Sequence, residues 1–172
     1  MLSDAKEGMK LSEQDAKAYH ATLAAFYKAM LSGDYDENNI MASIKEVLSG
    51  TGYEGNIDVG DMHLTFRQGY VLERDANGMF KVDGKEFKDE TTALNAMAAS
   101  QLGDLLTGKK TINTETGAVT YHGAVDTTVK IDVDNKKYEA SFSNGGAVSA
   151  TSKDLLTAAI QTYTLLHPED FS

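Results

Sequence analysis

The chain has 172 residues, 41% hydrophobic and 24% charged, so it can bury one sizeable core and is not disordered by composition. A formal net charge of −10 excludes the basic footprint of a nucleic-acid binder and disfavours anionic membrane. The absence of cysteine removes disulfides, thiolate catalysis and cysteine-based zinc sites together.

Residues 1–11 carry acids and no apolar core, so they read as a mobile or partner-bound leader and not as a secretory signal. No apolar run approaches the roughly 20 residues of a membrane span, so the expectation is cytoplasmic synthesis without membrane attachment. Ser12 fits an N-cap, and Ala16, Tyr19, Leu23, Phe26, Tyr27 and Met30 recur at helical spacing, which predicts their burial as one stripe. Gly33 ends that helix. Asp36 caps a second one, with Ile40, Met41, Ile44, Val47 and Leu48 as its apolar face and Gly50 at its end. The short connection predicts an antiparallel hairpin over 1–49, either packed on the rest or projecting as an arm.

Four glycines, Gly50, Gly52, Gly55 and Gly60, mark 50–60 as a linker. The first three match the glycine spacing of a dinucleotide fingerprint, but the run follows a helix and opens none, so no phosphate site is read there. Residues 61–172 read as an α+β domain. His63–Phe66, Tyr70–Arg74 and Met79–Val82 form a β-meander turned by Gln68-Gly69 and Asn77-Gly78. A helix follows from Asp89, with Leu94, Met97, Ala98, Gln101, Leu102 and Leu105 along one face and Gly108 as its stop. Its small residues, Ala93, Ala96 and Ala99 among them, let another element approach closely, either a sheet of the same molecule or a second molecule.

Lys109–His122 reads as a threonine-rich hairpin with one wet or neighbour-covered face. A second meander follows: Val129, Ile131 and Val133 alternate, then Tyr138, Ala140 and Phe142, then Ala147–Ala150 after an Asn144-Gly145 turn. The last helix opens on Thr151-Ser152-Lys153-Asp154, which resembles a capping box, and its predicted buried stripe is Leu155, Leu156, Ala159, Ile160, Tyr163 and Leu166. His167-Pro168 ends it. Residues 61–108 and 124–167 share the order strand, tyrosine-led strand, Asn-Gly turn, short strand, helix, which raises an internal duplication. The fold class expected is α+β: an N-terminal helical hairpin, then a mainly antiparallel sheet from two meanders, each followed by a helix.

Chemistry is sparse. His20, His63, His122 and His167 show no metal-ligand spacing, although His63 and His122 both fall in strands and could share a site. Asp75/Asn77 and Asp132/Asp134 fail the calcium-loop pattern and read as turns. No nucleophile motif and no cofactor motif is present, and Glu73, Glu86 and Glu139 are the loose carboxylates available for acid–base work. The function expected is a non-enzymatic interaction subunit of a larger assembly, of the phage-virion or bacterial-machine kind. Its partners would be other protein subunits or further copies of itself. Ala93, Ala96, Ala99 and Phe171 are the candidate interaction surface. The alternatives are an acidic chaperone or adaptor of a secretion-type system, and a small enzyme or ligand binder with a pocket between the meanders.

Overall fold

The computed structural model describes residues 12–33, 35–49, 51–60, 62–102, 105–106 and 108–171, so the expected leader lies outside the described residues. The helices are α1 (Glu13–Ser32), α2 (Glu37–Leu48), α3 (Glu90–Ser100), α4 (Lys153–Leu166) and the short α5 (Pro168–Phe171). The strands are β1 (Gly55–Val59), β2 (Met62–Arg67), β3 (Tyr70–Arg74), β4 (Phe80–Val82), β5 (Lys85–Phe87), β6 (Lys110–Ile112), β7 (Val119–Tyr121), β8 (Thr127–Asp132), β9 (Lys137–Phe142) and β10 (Ala147–Ala150). The fold is α+β, with two antiparallel five-stranded sheets ordered β1-β2-β3-β4-β5 and β10-β9-β8-β7-β6. The two meanders therefore belong to separate sheets. Their strands succeed one another alike, β2–β3–β4 and β8–β9–β10, but the first set gains β5 before its helix.

The chain divides into two compact units, 1–79 and 80–172, whereas the sequence reading places its boundary at 50–60. Residues 55–59 of that glycine-rich stretch are strand β1, paired with β2 from Gly55↔Phe66 to Val59↔Met62. Ile57 supplies the reason, since it faces Leu64 across the pair and both are buried.

In the first unit Ser12 caps α1, its hydroxyl accepting from the Asp15 N–H at 3.1 Å. Gly33 closes it at a φ of 73°, a conformation that suits a residue without a Cβ. Asp36 caps α2 through the Asn38 N–H at 3.2 Å. Helix α1 packs on α2, and α2 packs on β1 and β2. Ile40, Met41, Ile44 and Leu48 of α2 join Tyr53, Ile57, Leu64, Phe66 and Val71 in one core. The helical hairpin is thus no free arm, because Ile40, Met41, Ile44 and Leu48 of α2 are part of the core that the first three strands share.

In the second unit α3 packs against β4 and β5 and also against β7 and β8. An element flanked on two sides needs small side chains, and Ala93, Ala96, Ala98 and Ala99 are all 0% exposed. Helix α3 stops at Ser100, short of the expected stop at Gly108. The Tyr121 hydroxyl explains the early end: it donates to the Ala99 carbonyl at 2.6 Å and accepts from the Leu102 N–H at 3.3 Å, meeting groups that a helix terminus leaves without partners. Helix α4 packs on β9 and β10. Its cap is Ser152, one residue later than the capping-box reading, with the hydroxyl accepting from the Leu155 N–H at 3.2 Å. The register aligns Val119, Val129 and Ala140 on the covered face and Thr111, Thr120, Thr128 and Ser141 on the open one. The expected wet threonine face is this row.

Candidate interaction surfaces

Helix α1 is apolar on two opposite sides. Ala21, Ala25 and Ala29, four residues apart, are buried at 2, 3 and 6% exposure. Leu23, Tyr27, Met30 and Leu31 project from the other side and remain 44, 60, 55 and 71% exposed. The sequence reading assigns burial to the large residues, and the structure reverses this. Packing decides it: α2 approaches the alanine side, where small side chains let two helix axes come close. Phe26, between the two sides, is half-buried and lies 6.4 Å from the exposed Tyr35 ring.

Beside this stripe, at the α1 N-terminal end, an open apolar cleft of about 660 Å³ is lined by Ala16, Lys17, His20, Ala21, Val47 and Leu48 among others. Val47, read as part of the α2 core face, is 52% exposed there. Lys17 turns away from the stripe, and its ammonium donates to the Thr51 carbonyl at 3.1 Å.

Helix α4 shows the same departure. Leu156 and Ile160 are its buried residues, whereas Leu155 and Leu166, both expected inside, are 56 and 70% exposed. A helix on a sheet surface buries a narrow stripe, and the predicted face was wider than β9 and β10 cover. Tyr163 is held otherwise: its ring stacks on Phe142 at 4.2 Å and on His167 at 4.2 Å, and its hydroxyl donates to Asn144 Oδ1 at 3.0 Å.

Of the residues first singled out for interaction, Ala93, Ala96 and Ala99 are buried and Phe171 is partly buried. Ala93, Ala96 and Ala99 are core, since sheet strands of the same unit take the close approach that their size permits. Phe171 packs edge-on to Phe142 at 5.6 Å and to Tyr163 at 5.9 Å, so it docks the C-terminal end onto its own unit.

The histidines are held by neighbours of their own units. His63 pairs through Nδ1 with Asp58, and Arg74 approaches the same carboxylate at 3.7 Å. Register places the three side by side, Asp58↔His63↔Arg74. His122 Nε2 meets the Thr111 hydroxyl at 2.8 Å, and Nδ1 lies 3.5 Å from Asp126. This is the hydroxyl–imidazole–carboxylate order of nucleophilic hydrolases. A cavity of about 290 Å³ adjoins it, lined by His122, Tyr121, Val125, Leu105 and Phe171 among others. Both His122 and Asp126 side chains are nearly half exposed, so water competes for every one of these bonds.

The acidic turns are turns. Asp75 Oδ1 accepts from the N–H groups of Asn77 at 2.9 Å and Met79 at 3.0 Å. Asp132 accepts from the Asn135 side chain at 2.8 Å and its backbone at 3.2 Å, and the Asn135 side-chain bond is the main reason its carboxyl lies below the ordinary range. Among the described residues no group of three or more His, Asp or Glu is placed to hold a metal ion. No helix of these residues is long and apolar enough to cross a membrane. Glu73 faces Lys45 at 3.6 Å, an exposed pair of little energetic weight.

No protein-family model, no curated protein sequence and no solved structure matches the chain.

Proposed function

We propose that this protein is an interaction subunit of a larger protein assembly, of the kind found in virions or bacterial macromolecular machines, and that it docks through the outer side of α1. The observation that carries this is the run Leu23, Tyr27, Met30 and Leu31, large apolar residues at helical spacing left in solvent. Single exposed leucines are ordinary, but four large residues along one side of one helix are not. The core of its own unit lies on the opposite side of the helix, and Tyr27, Met30 and Leu31 keep more than half of their surface in water. Helix-in-groove and helix-on-helix contacts read anchors at this spacing.

A second reading, a small hydrolase or ligand binder, is favoured by the Thr111–His122–Asp126 geometry beside its cavity. One experiment separates the two. Affinity purification from the native source, with mass spectrometry of the recovered proteins, should yield assembly subunits in fixed ratio, and the variant carrying Leu23→Glu and Leu31→Glu should lose them. Recovery of the protein alone, with activated-ester hydrolysis that His122→Ala abolishes, would overturn the assembly reading in favour of the second. A single secreted client would replace it with the chaperone reading.

A further inference from the structure

We infer that the free edge of β10, together with the outer flank of α4, takes an extended segment of a partner protein as an added strand. This is a second docking surface, in the other compact unit from the α1 stripe, and it stands or falls separately.

The backbone comes first. The Phe142 N–H donates to the Gly146 carbonyl, and antiparallel residues alternate between bonded and non-bonded pairs, so Val148 and Ala150 exchange bonds with Ala140 and Tyr138 of β9. The N–H and C=O groups of Ala147 and Ser149 then point away from β9. Strand β10 ends its sheet, and both residues are exposed. Each of the other edge strands carries a charge that discourages a further strand: Asp58 in β1, Lys85 and Glu86 in β5, Lys110 in β6. Strand β10, Ala147-Val148-Ser149-Ala150, carries none, and it holds no proline or glycine.

The helix points the same way. Val148 and Ala150 lie on the covered face, in register with the buried Ala140 and Tyr138, yet both keep part of their surface in solvent. Helix α4 covers that face along β9 and β10. Helical geometry puts Lys153, Thr157 and Thr164 on one flank of α4 and Leu155, Ala159 and Leu166 on the other. The first flank faces the middle of the sheet: Lys153 donates to the Gln101 side chain at 3.1 Å, next to the end of α3, and Thr164 shares a cavity with Tyr121 of β7 and Thr127 of β8. The second flank therefore overhangs the outside of β10, where Leu155 and Leu166 are exposed. A strand added beside β10 fills the angle between the backbone edge and these leucines.

The two features together select the occupant. Unpaired N–H and C=O groups at strand spacing are met by an extended backbone and not by a helix. The flank above takes every second side chain of that backbone, so the segment carries apolar residues at alternate positions. A short segment also spares the chain the second charge of −10 that pairing with its own copy would bring.

Hydrogen exchange on the full chain tests the edge. Alone, the Ala147 and Ser149 amides should exchange fast and those of Val148 and Ala150 slowly. A random peptide library panned on the full chain should yield binders with apolar residues at i, i+2 and i+4, and such a peptide should slow the Ala147 and Ser149 amides by about tenfold or more. Ser149→Pro removes only an outward N–H, so the bonds to β9 remain, and it should weaken that peptide by about tenfold. Leu155→Glu, at an exposed site, should do the same, and circular dichroism should be unchanged in both. Slow Ala147 and Ser149 amides in the free chain, a library that yields nothing, binders without the alternation, or binders indifferent to both variants would overturn the inference. A dimer of the chain that Ser149→Pro dissolves would overturn it too, by making the occupant a second copy. Native partners that survive both variants but are lost with Leu23→Glu and Leu31→Glu would leave the functional proposal standing and remove only the added strand.

Discussion

Tyr121 shows how one side chain ties a helix to a sheet. Its hydroxyl bonds two backbone groups at the end of α3, and its ring is buried. Burial pushes its ionisation above the ordinary 10.0, and the Asp83 carboxylate nearby adds to the effect, against the Leu102 N–H, which lowers it. The folded state therefore holds the phenolic proton more tightly than the unfolded chain does. The resulting stability is fully present below the ordinary value and is lost as pH rises through the folded one. Urea midpoints measured from about pH 9 to about pH 11 should fall with pH, and Tyr121→Phe should flatten that fall. At neutral pH the same variant should be less stable by about 1–3 kcal/mol, because the Ala99 carbonyl and the Leu102 N–H lose their partner.

Helix α1 inverts the usual relation between size and burial. Its small residues face the core, and its large ones face water. Ala25→Leu should overpack the α1–α2 contact and destabilise the first unit by about 1–3 kcal/mol. Leu23→Ala should cost less, under about 1 kcal/mol, because Leu23 is 44% exposed and lies on the side of the helix away from the core. Chemical denaturation of both variants at a concentration that keeps the chain monomeric checks the contrast. The opposite ranking would mean that the stripe is core. Helix α3 makes the complementary case: its alanines are small because strands flank it on two sides, and any larger residue there would meet a packed neighbour.

Across the whole molecule, charge and apolar surface oppose one another. A net charge of −10 opposes contact with acidic surfaces, and the exposed apolar stripe of α1 favours burial against an apolar one. Salt screens the first without weakening the second. Raising ionic strength from about 0.01 M to about 0.15 M, which shortens the screening length from roughly 30 Å to roughly 8 Å, should therefore leave co-purification of partners through Leu23 and Leu31 undiminished. An interface built on ion pairs would lose partners over the same range.

Local chemistry was legible in the sequence before any fold was known. Ser12, Asp36 and Asp89 cap helices because a short side-chain oxygen reaches the first free N–H groups, which depends on neighbours in the chain and on little else. Asp75 and Asp132 make turns for the same reason. The α+β class and the two meanders follow from periodicity, which is also local, whereas β1 and β5 were not read as strands. What the tertiary structure alone decided is which apolar residues are inside. Periodicity marks an apolar side of a helix without saying whether anything packs on it, so Leu23, Tyr27, Leu155 and Leu166 read as core and stand in solvent. The alanines of α3 read as a site of close approach by a sheet of the same molecule or by a second molecule, and strands β4, β5, β7 and β8 make that approach. Strand β1 hid among glycines for a related reason: its pairing with β2 and its burial of Ile57 appear only once the α2 core is in place. The candidate interface therefore became visible only by subtraction, as the apolar surface that remained after the fold had used what it needed.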